Sequence, residues 1–152
     1  MARSHGKVLA AIWRDEDWLK LSASAQRVYI LLLSQPKVTL CGTLDLAEKR
    51  WARMASDTSE ADINAALLEL SSNSFIVADG ITEELAIRSF AKHDLNTGRM
   101  NLNLAKGFWR AWEGLESEPL RFFIMTEIPD DLWEKLAEHA PEDALAIWEG
   151  LE

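Results

Sequence analysis

Cysteine is almost absent from this chain of 152 residues: Cys41 stands alone. No internal disulfide can form, and no zinc site can rest on cysteine pairs. A single cysteine of this kind is expected in the core, as a small apolar residue. Proline and glycine are also scarce, at four and seven, which argues against a disordered chain. The three histidines stand apart at 5, 93 and 139. His93-Asp94 has no nucleophile or metal partner nearby in sequence and reads as a structural or loop pair. Neither Gly-x-x-x-x-Gly-Lys nor Gly-x-Gly-x-x-Gly occurs, so those nucleotide-binding loops are excluded. Long apolar runs are missing too. The basic start Arg3, His5, Lys7 meets the charges of Arg14 to Asp17 before any span could form, so neither a signal peptide nor a membrane segment is expected. Asp15-Glu16-Asp17 could hold a cation, but carboxylates at a helix start are explained by the helix dipole alone, as are Asp130-Asp131. A cytoplasmic protein, with no catalysis, no cofactor and no metal, is the expectation.

What is present is apolar mass and unevenly placed charge. Hydrophobic residues make up 48% of the chain, enough for a packed core, and the net charge is −9. Residues 1–110 carry 14 Lys+Arg against 13 Asp+Glu, a net of +1. Residues 111–152 carry 2 against 12, a net of −10. A duplex would be repelled by the far end and nearly indifferent to the front. The acidic stretch is either a solvated helix surface or a surface that excludes or mimics nucleic acid or docks a basic partner.

The hydrophobic spacing predicts an order of elements. One helical turn near Asp15–Leu19 is followed by a helix that Ser22 or Ser24 caps and Pro36 ends, with Ala25, Val28, Tyr29 and Leu32 on its apolar side. A strand over Val38–Leu44 precedes a helix from Asp45 to Ala55, whose inner stripe is Leu44, Ala47, Trp51 and Met54. A third helix, Ser59–Ser71, has Ile63, Ala66, Leu67 and Leu70 at the cleanest helical spacing in the chain. Phe75–Ala78 and Glu84–Phe90 read as a hairpin turning at Asp79-Gly80. His93–Gly98 reads as loop. The remainder reads as helices on Leu104/Phe108/Trp112/Leu115, on Leu120/Phe123/Ile124 after a Ser117 cap, on Leu132/Trp133/Leu136/Ala137, and on Leu145/Trp148/Leu151. Trp-Glu-Gly-Leu-Glu occurs at 112–116 and at 148–152, which reads as two glycine C-caps rather than a repeat. The expected class is mainly α (α+β): a winged helix-turn-helix with an N-terminal arm over 1–92, a linker over 93–103, and an acidic helical extension over 104–152.

That layout most commonly holds DNA, with the N-terminal part of its third helix against base edges. Here that helix offers Ser59, Glu60, Asp62 and Asn64, and no Lys or Arg lies between Arg53 and Arg88. Asn64 could read adenine. Phosphate contacts would fall to Lys49, Arg50 and Arg53 on the bracing helix, Arg88 on the wing, and Arg3 and Lys7 on the arm, about six cations and a weak, salt-sensitive complex. Alternatively these cations pair with acids across the surface. Of the tryptophans in the acidic end, Trp112, Trp133 and Trp148 lie on apolar stripes and suit core packing, with contact to a protein partner as the alternative. Trp109 lies off its stripe, where an exposed interface anchor would sit.

Several of these residues carry a resemblance. Ile12-Trp13-x-Asp15-x-Asp17-Trp18-Leu19-x-Leu21-Ser22-x-x-Ala25-Gln26-Arg27-x-Tyr29-x-Leu31-Leu32 resembles the opening of phage replication-initiation (replisome-organiser-like) proteins, in particular the helix-turn-helix proteins of actinobacterial phages and prophages. Asp62-Ile63-x-x-Ala66-Leu67-x-x-Leu70 and Glu83-Glu84-Leu85-x-Ile87-Arg88-Ser89-Phe90-x-x-His93-Asp94 agree with it, and the likeness spans about residues 7–94. It implies a winged-helix DNA-binding module in phage replication or transcription control, with the groove-facing role on Ser59–Asn64 and the wing role near Arg88. The rival expectation is an acidic adaptor or DNA mimic that binds a host or phage protein, or a second copy of itself, through the C-terminal helices.

Overall fold

The structure, a computed structural model, describes residues 3–95 and 100–152. It is mainly helical with one small antiparallel sheet. A 3-10 turn at Ala10–Arg14 leads into α1 (Glu16–Leu19) and α2 (Ala23–Leu33); β1 (Thr43–Asp45), α3 (Glu48–Ala52) and α4 (Glu60–Ser72) follow. Then come β2 (Ile76–Asp79), β3 (Glu84–Ile87), α5 (Phe90–Asp94), α6 (Leu102–Glu113), α7 (Glu118–Glu127), α8 (Asp130–Leu136), a 3-10 turn at Ala137–His139, and α9 (Glu142–Leu151). The sheet order is β1-β3-β2, with Leu44 opposite Leu85 and Ile76 opposite Ile87.

Caps set the helix starts. The Asp15 carboxylate accepts the Trp18 N–H, the Ser22 hydroxyl accepts that of Ala25, and the Ser117 hydroxyl accepts that of Leu120. Each satisfies a donor that a helix leaves open at its first turn. Pro119 lies in the first turn of α7, where it forfeits no bond.

The central strand joins two cores. Side chains alternate across a strand, so Leu85 and Ile87 face a front core with Trp18, Leu32, Trp51, Ile63 and Leu70. Ala86 faces a rear core with Phe108, Trp109, Trp112, Leu120, Met125 and Leu132. All four residues of β3 are therefore buried. Helix α7 is tied to the hairpin at both ends. At its start the Ser117 hydroxyl donates to Asp79 at 2.6 Å and the Ser117 N–H to Glu84 at 2.9 Å. At its end Glu127 accepts the N–H and hydroxyl of Ser89, both at 3.2 Å. Ser89 has φ 57°, and those two bonds hold it in a left-handed conformation that few residues other than glycine adopt.

Several expectations need correction. Of the strand expected over Val38–Leu44 only Thr43 and Leu44 belong to β1, because Thr39–Gly42 forms a tight turn in which the Gly42 N–H reaches the Thr39 carbonyl at 3.0 Å. Gly42 itself has φ +79°, and a Cβ there would meet the Phe90 side chain. The next helix is shorter than Asp45–Ala55. The Leu46 N–H still pairs with the Glu83 carbonyl, and Arg53 and Met54 close by i→i−3 bonds. Met54 therefore leaves the inner stripe and is 45% exposed. His93-Asp94, expected in a loop, ends α5; residues 96–99 of the expected linker lie outside the described residues. Of the two glycine caps one is made: Gly114 ends α6, right-handed at φ −74°, and the Leu115 N–H folds back to the Trp112 carbonyl at 3.2 Å, whereas Gly150 lies inside α9. The inner face of α9 is Ala144, Ile147 and Trp148, with Leu145 and Leu151 exposed.

Candidate nucleic-acid interface

Six cations were the candidate phosphate contacts, and the fold divides them in two. Arg3 is spent inside the molecule. Its guanidinium pairs with Asp94 at 2.9 Å, donates to the Val38 carbonyl at 2.9 Å and lies over the Phe90 ring. Lys7 donates to the His93 carbonyl at 3.1 Å. The N-terminal arm is therefore pinned along α5 instead of reaching outward. Arg88 meets Glu127 at 3.4 Å while staying half exposed. The second group is Lys49, Arg50 and Arg53. All three are exposed on or just after α3, and among the described residues no carboxylate lies within ion-pair distance of them. Trp51, which is fully buried, anchors the short helix that carries them.

Two cations missed in the sequence join that surface. The Arg27 guanidinium donates to the Met54 carbonyl at 3.1 Å, which draws α2 to the end of α3. Lys37 shares with Arg50 the rim of a cleft of about 500 Å³ that also touches Trp51, Met54 and Gly114. Lys37 follows Pro36 in the turn after α2, and no local pattern links it to Arg50. Asp45 and Glu84 line the same cleft, but the Glu84 carboxylate is occupied by the N–H groups of Glu116 and Ser117.

Helix α4 has a different surface. Ser59 does not face outward as a free hydroxyl. Its oxygen accepts the Asp62 N–H while the Asp62 carboxylate accepts the Ser59 N–H, a reciprocal box that closes the helix start. The Ser59 bonds hold the Asp62 carboxyl below its usual value. Asn64 is exposed and free to contact a partner. Around it stand Glu60, Asp62 and Leu68, the last 69% exposed. The hairpin turn adds Ile81 at 96% exposure and Glu83, with no cation at all.

The tryptophans are also corrected. Trp109 is 2% exposed, and its indole N–H donates to the Leu136 carbonyl at 2.9 Å, so it is a core residue and no interface anchor. Helix α6 packs on two sides at once, with Gly107 against Leu40 before β1 and Trp109 against α8, and that widens its buried stripe to include position 109. Trp112 is equally buried, with its N–H on the Arg121 carbonyl. Trp133 and Trp148 are half-buried and stacked at 4.3 Å, joining α8 to α9.

A second cleft, of about 630 Å³, lies beneath the arm. Its floor includes Tyr29, Phe75 and Phe90, and burial pushes the Tyr29 hydroxyl up to about 12. Its rim mixes Lys7 and Arg88 with Asp15 and Asp17, so it has no consistent charge to select an anion. Cys41 is buried, as expected, and burial raises its thiol pKa, which keeps it protonated and unreactive. Among the described residues no group of three or more His, Cys, Asp or Glu is placed to hold a metal ion, and no helix is long and apolar enough to cross a membrane.

Compared with known proteins, the chain matches no family model, no curated protein and no solved structure.

Proposed function

We propose that this chain is a winged-helix protein that docks on duplex DNA without catalysis, of the kind that serves phage replication or transcription control in the bacterial cytoplasm. The helix–strand–helix–helix–strand–strand order of α2 to β3, with β3 central, supports the winged-helix reading. One observation carries the DNA reading: Lys49, Arg50 and Arg53 stand exposed on one short helix with no carboxylate of the described residues in reach. Unpaired cations crowded together repel one another; duplex phosphates offset that repulsion with their own charge, and the cations in turn release counterions condensed on the duplex. The contact is with the backbone, so it positions the protein and carries little sequence information. Asn64 is the remaining candidate for base readout.

The test is a gel shift or anisotropy titration at low salt with duplexes that include phage origin and operator regions. Reversing Lys49, Arg50 and Arg53 to glutamate together should remove the shift. A wild-type protein that shifts no duplex at low salt sinks the reading.

A second reading has its own observation. Among the described residues Leu68 and Ile81 are the two most exposed large apolar side chains, and both lie among acids on the elements a winged helix would turn to the groove. Such a surface suits a protein partner better than a phosphate backbone. A stoichiometric partner recovered from host lysate after nuclease treatment, and lost in Leu68→Lys, would favour an adaptor.

A further inference from the structure

Lys106 and Arg110 have no place in the contacts described so far. They are four residues apart on α6, so they stand one above the other on the same helix face. The row continues to Gly114, four residues on, and Gly114 lies on the rim of the cleft that Lys37 and Arg50 share. Both side chains are exposed, and among the described residues neither has a carboxylate within ion-pair distance. Together they line a shallow depression of about 390 Å³ with Trp109, His139 and one acid, Glu113. Like charges at this spacing disfavour an isolated helix, so the pair is a local excess of positive charge just before the acidic last 42 residues.

We infer that α6 forms the second half of the duplex-docking surface: Lys106 and Arg110 take phosphates beyond those held by Lys49, Arg50 and Arg53, with Lys37 between the two groups. This rests on the reading of α3 as a phosphate contact. It moves the footprint away from α4 and the hairpin turn, whose outer residues are acidic and apolar, and onto the α3–α6 flank. Helix α6 meets the front unit beside the cleft that Lys37 and Arg50 share, where Ala111 and Gly114 line it. Gly107 packs so tightly on the Leu40 side chain that a Cβ there would come within 2.6 Å of it. The exposed acids of α8 and α9 then disfavour a duplex that approaches from their side.

Anisotropy with a fluorescein-labelled duplex of about 20 base pairs, read across a salt series, tests this. Each phosphate contact contributes about 0.9 to the slope of log affinity against log salt. Lys106→Gln with Arg110→Gln should therefore flatten the slope by about 2 and weaken binding about tenfold at low salt. Both side chains are exposed, so thermal unfolding should not change, and that control separates lost contacts from lost structure. If the double variant keeps the wild-type slope while reversal of Lys49, Arg50 and Arg53 removes binding, the inference fails and the α3 reading stands. If the wild type binds no duplex, both fail. If polyglutamate competes as strongly as duplex, the flank is a general polyanion surface and the inference is overturned.

Discussion

Helices α3 and α4 share one core and are separated by seven residues, yet their outer surfaces are opposites. The inner side of α3 is Trp51 and Ala52, and that of α4 is Ile63, Ala66, Leu67 and Leu70, all buried together. Outward, α3 and the turn after it present Lys49, Arg50 and Arg53. Outward, α4 presents Glu60, Asp62, Asn64 and Leu68. Packing demands only that the inner residues fit, so the outer ones are free to serve function. In the usual arrangement the third helix enters the groove and the second braces it. Under the proposed DNA reading, the charges would assign the attraction to α3 in place of α4.

That contrast can be broken from the inside. Trp51→Ala should cost about 3–5 kcal/mol, because the cavity it opens undercuts the short helix carrying the cations. Urea unfolding would show the loss, and DNA binding should fall with it. A small loss would mean that α3 is held by something other than its buried face. Ser59→Ala acts on α4 alone and should cost about 1 kcal/mol through loss of the capping box. DNA affinity should then change little if α3 and α6 make the contacts.

The same box makes α4 sensitive to acid. The folded Asp62 carboxyl lies below its ordinary value of 3.8, with the Ser59 hydrogen bonds as the cause. A depressed carboxyl stabilises the fold at pH values above its unfolded pKa, and that contribution disappears as the pH falls through the lower folded value. The Ser59 amide resonance should therefore stay constant from neutral pH down through the ordinary Asp value of 3.8 and move only in more acid solution. Movement at higher pH would mean that the box is open. The smallest effect is expected at Leu68→Ala, within about 0.5 kcal/mol by denaturation, because the side chain is already in water. A larger loss would mean that a second copy or another segment covers α4 in solution.

Local patterns were legible where short-range physics decides. The α4 stripe, the caps at Ser22 and Ser117, the turn at Asp79-Gly80 and the burial of Cys41 follow from spacing of a few residues. The short elements were not legible. Whether Leu46 continues a strand or starts a helix depends on the Glu83 carbonyl, 37 positions along the chain. The alternation of Glu84–Ile87 is only partial because both faces of β3 are covered, and no single strand reports what lies behind it. Trp109 was misjudged for the same reason. A helix packed on one side would expose it, and α6 is packed on two.

The chain by itself settled its mainly helical composition with a small sheet, the amphipathic faces and the segregation of negative charge into the last 42 residues. Those are properties of residue type and near-neighbour spacing. The tertiary structure alone decided which cations remain available. Arg3 meets Asp94 across 91 positions, and Arg88 meets Glu127 across 39, whereas Lys49, Arg50 and Arg53 meet no acid of the described residues. Ion pairing depends on distance in space, falling off over a few ångströms in a polar medium, and sequence separation carries no measure of that distance until the chain is folded.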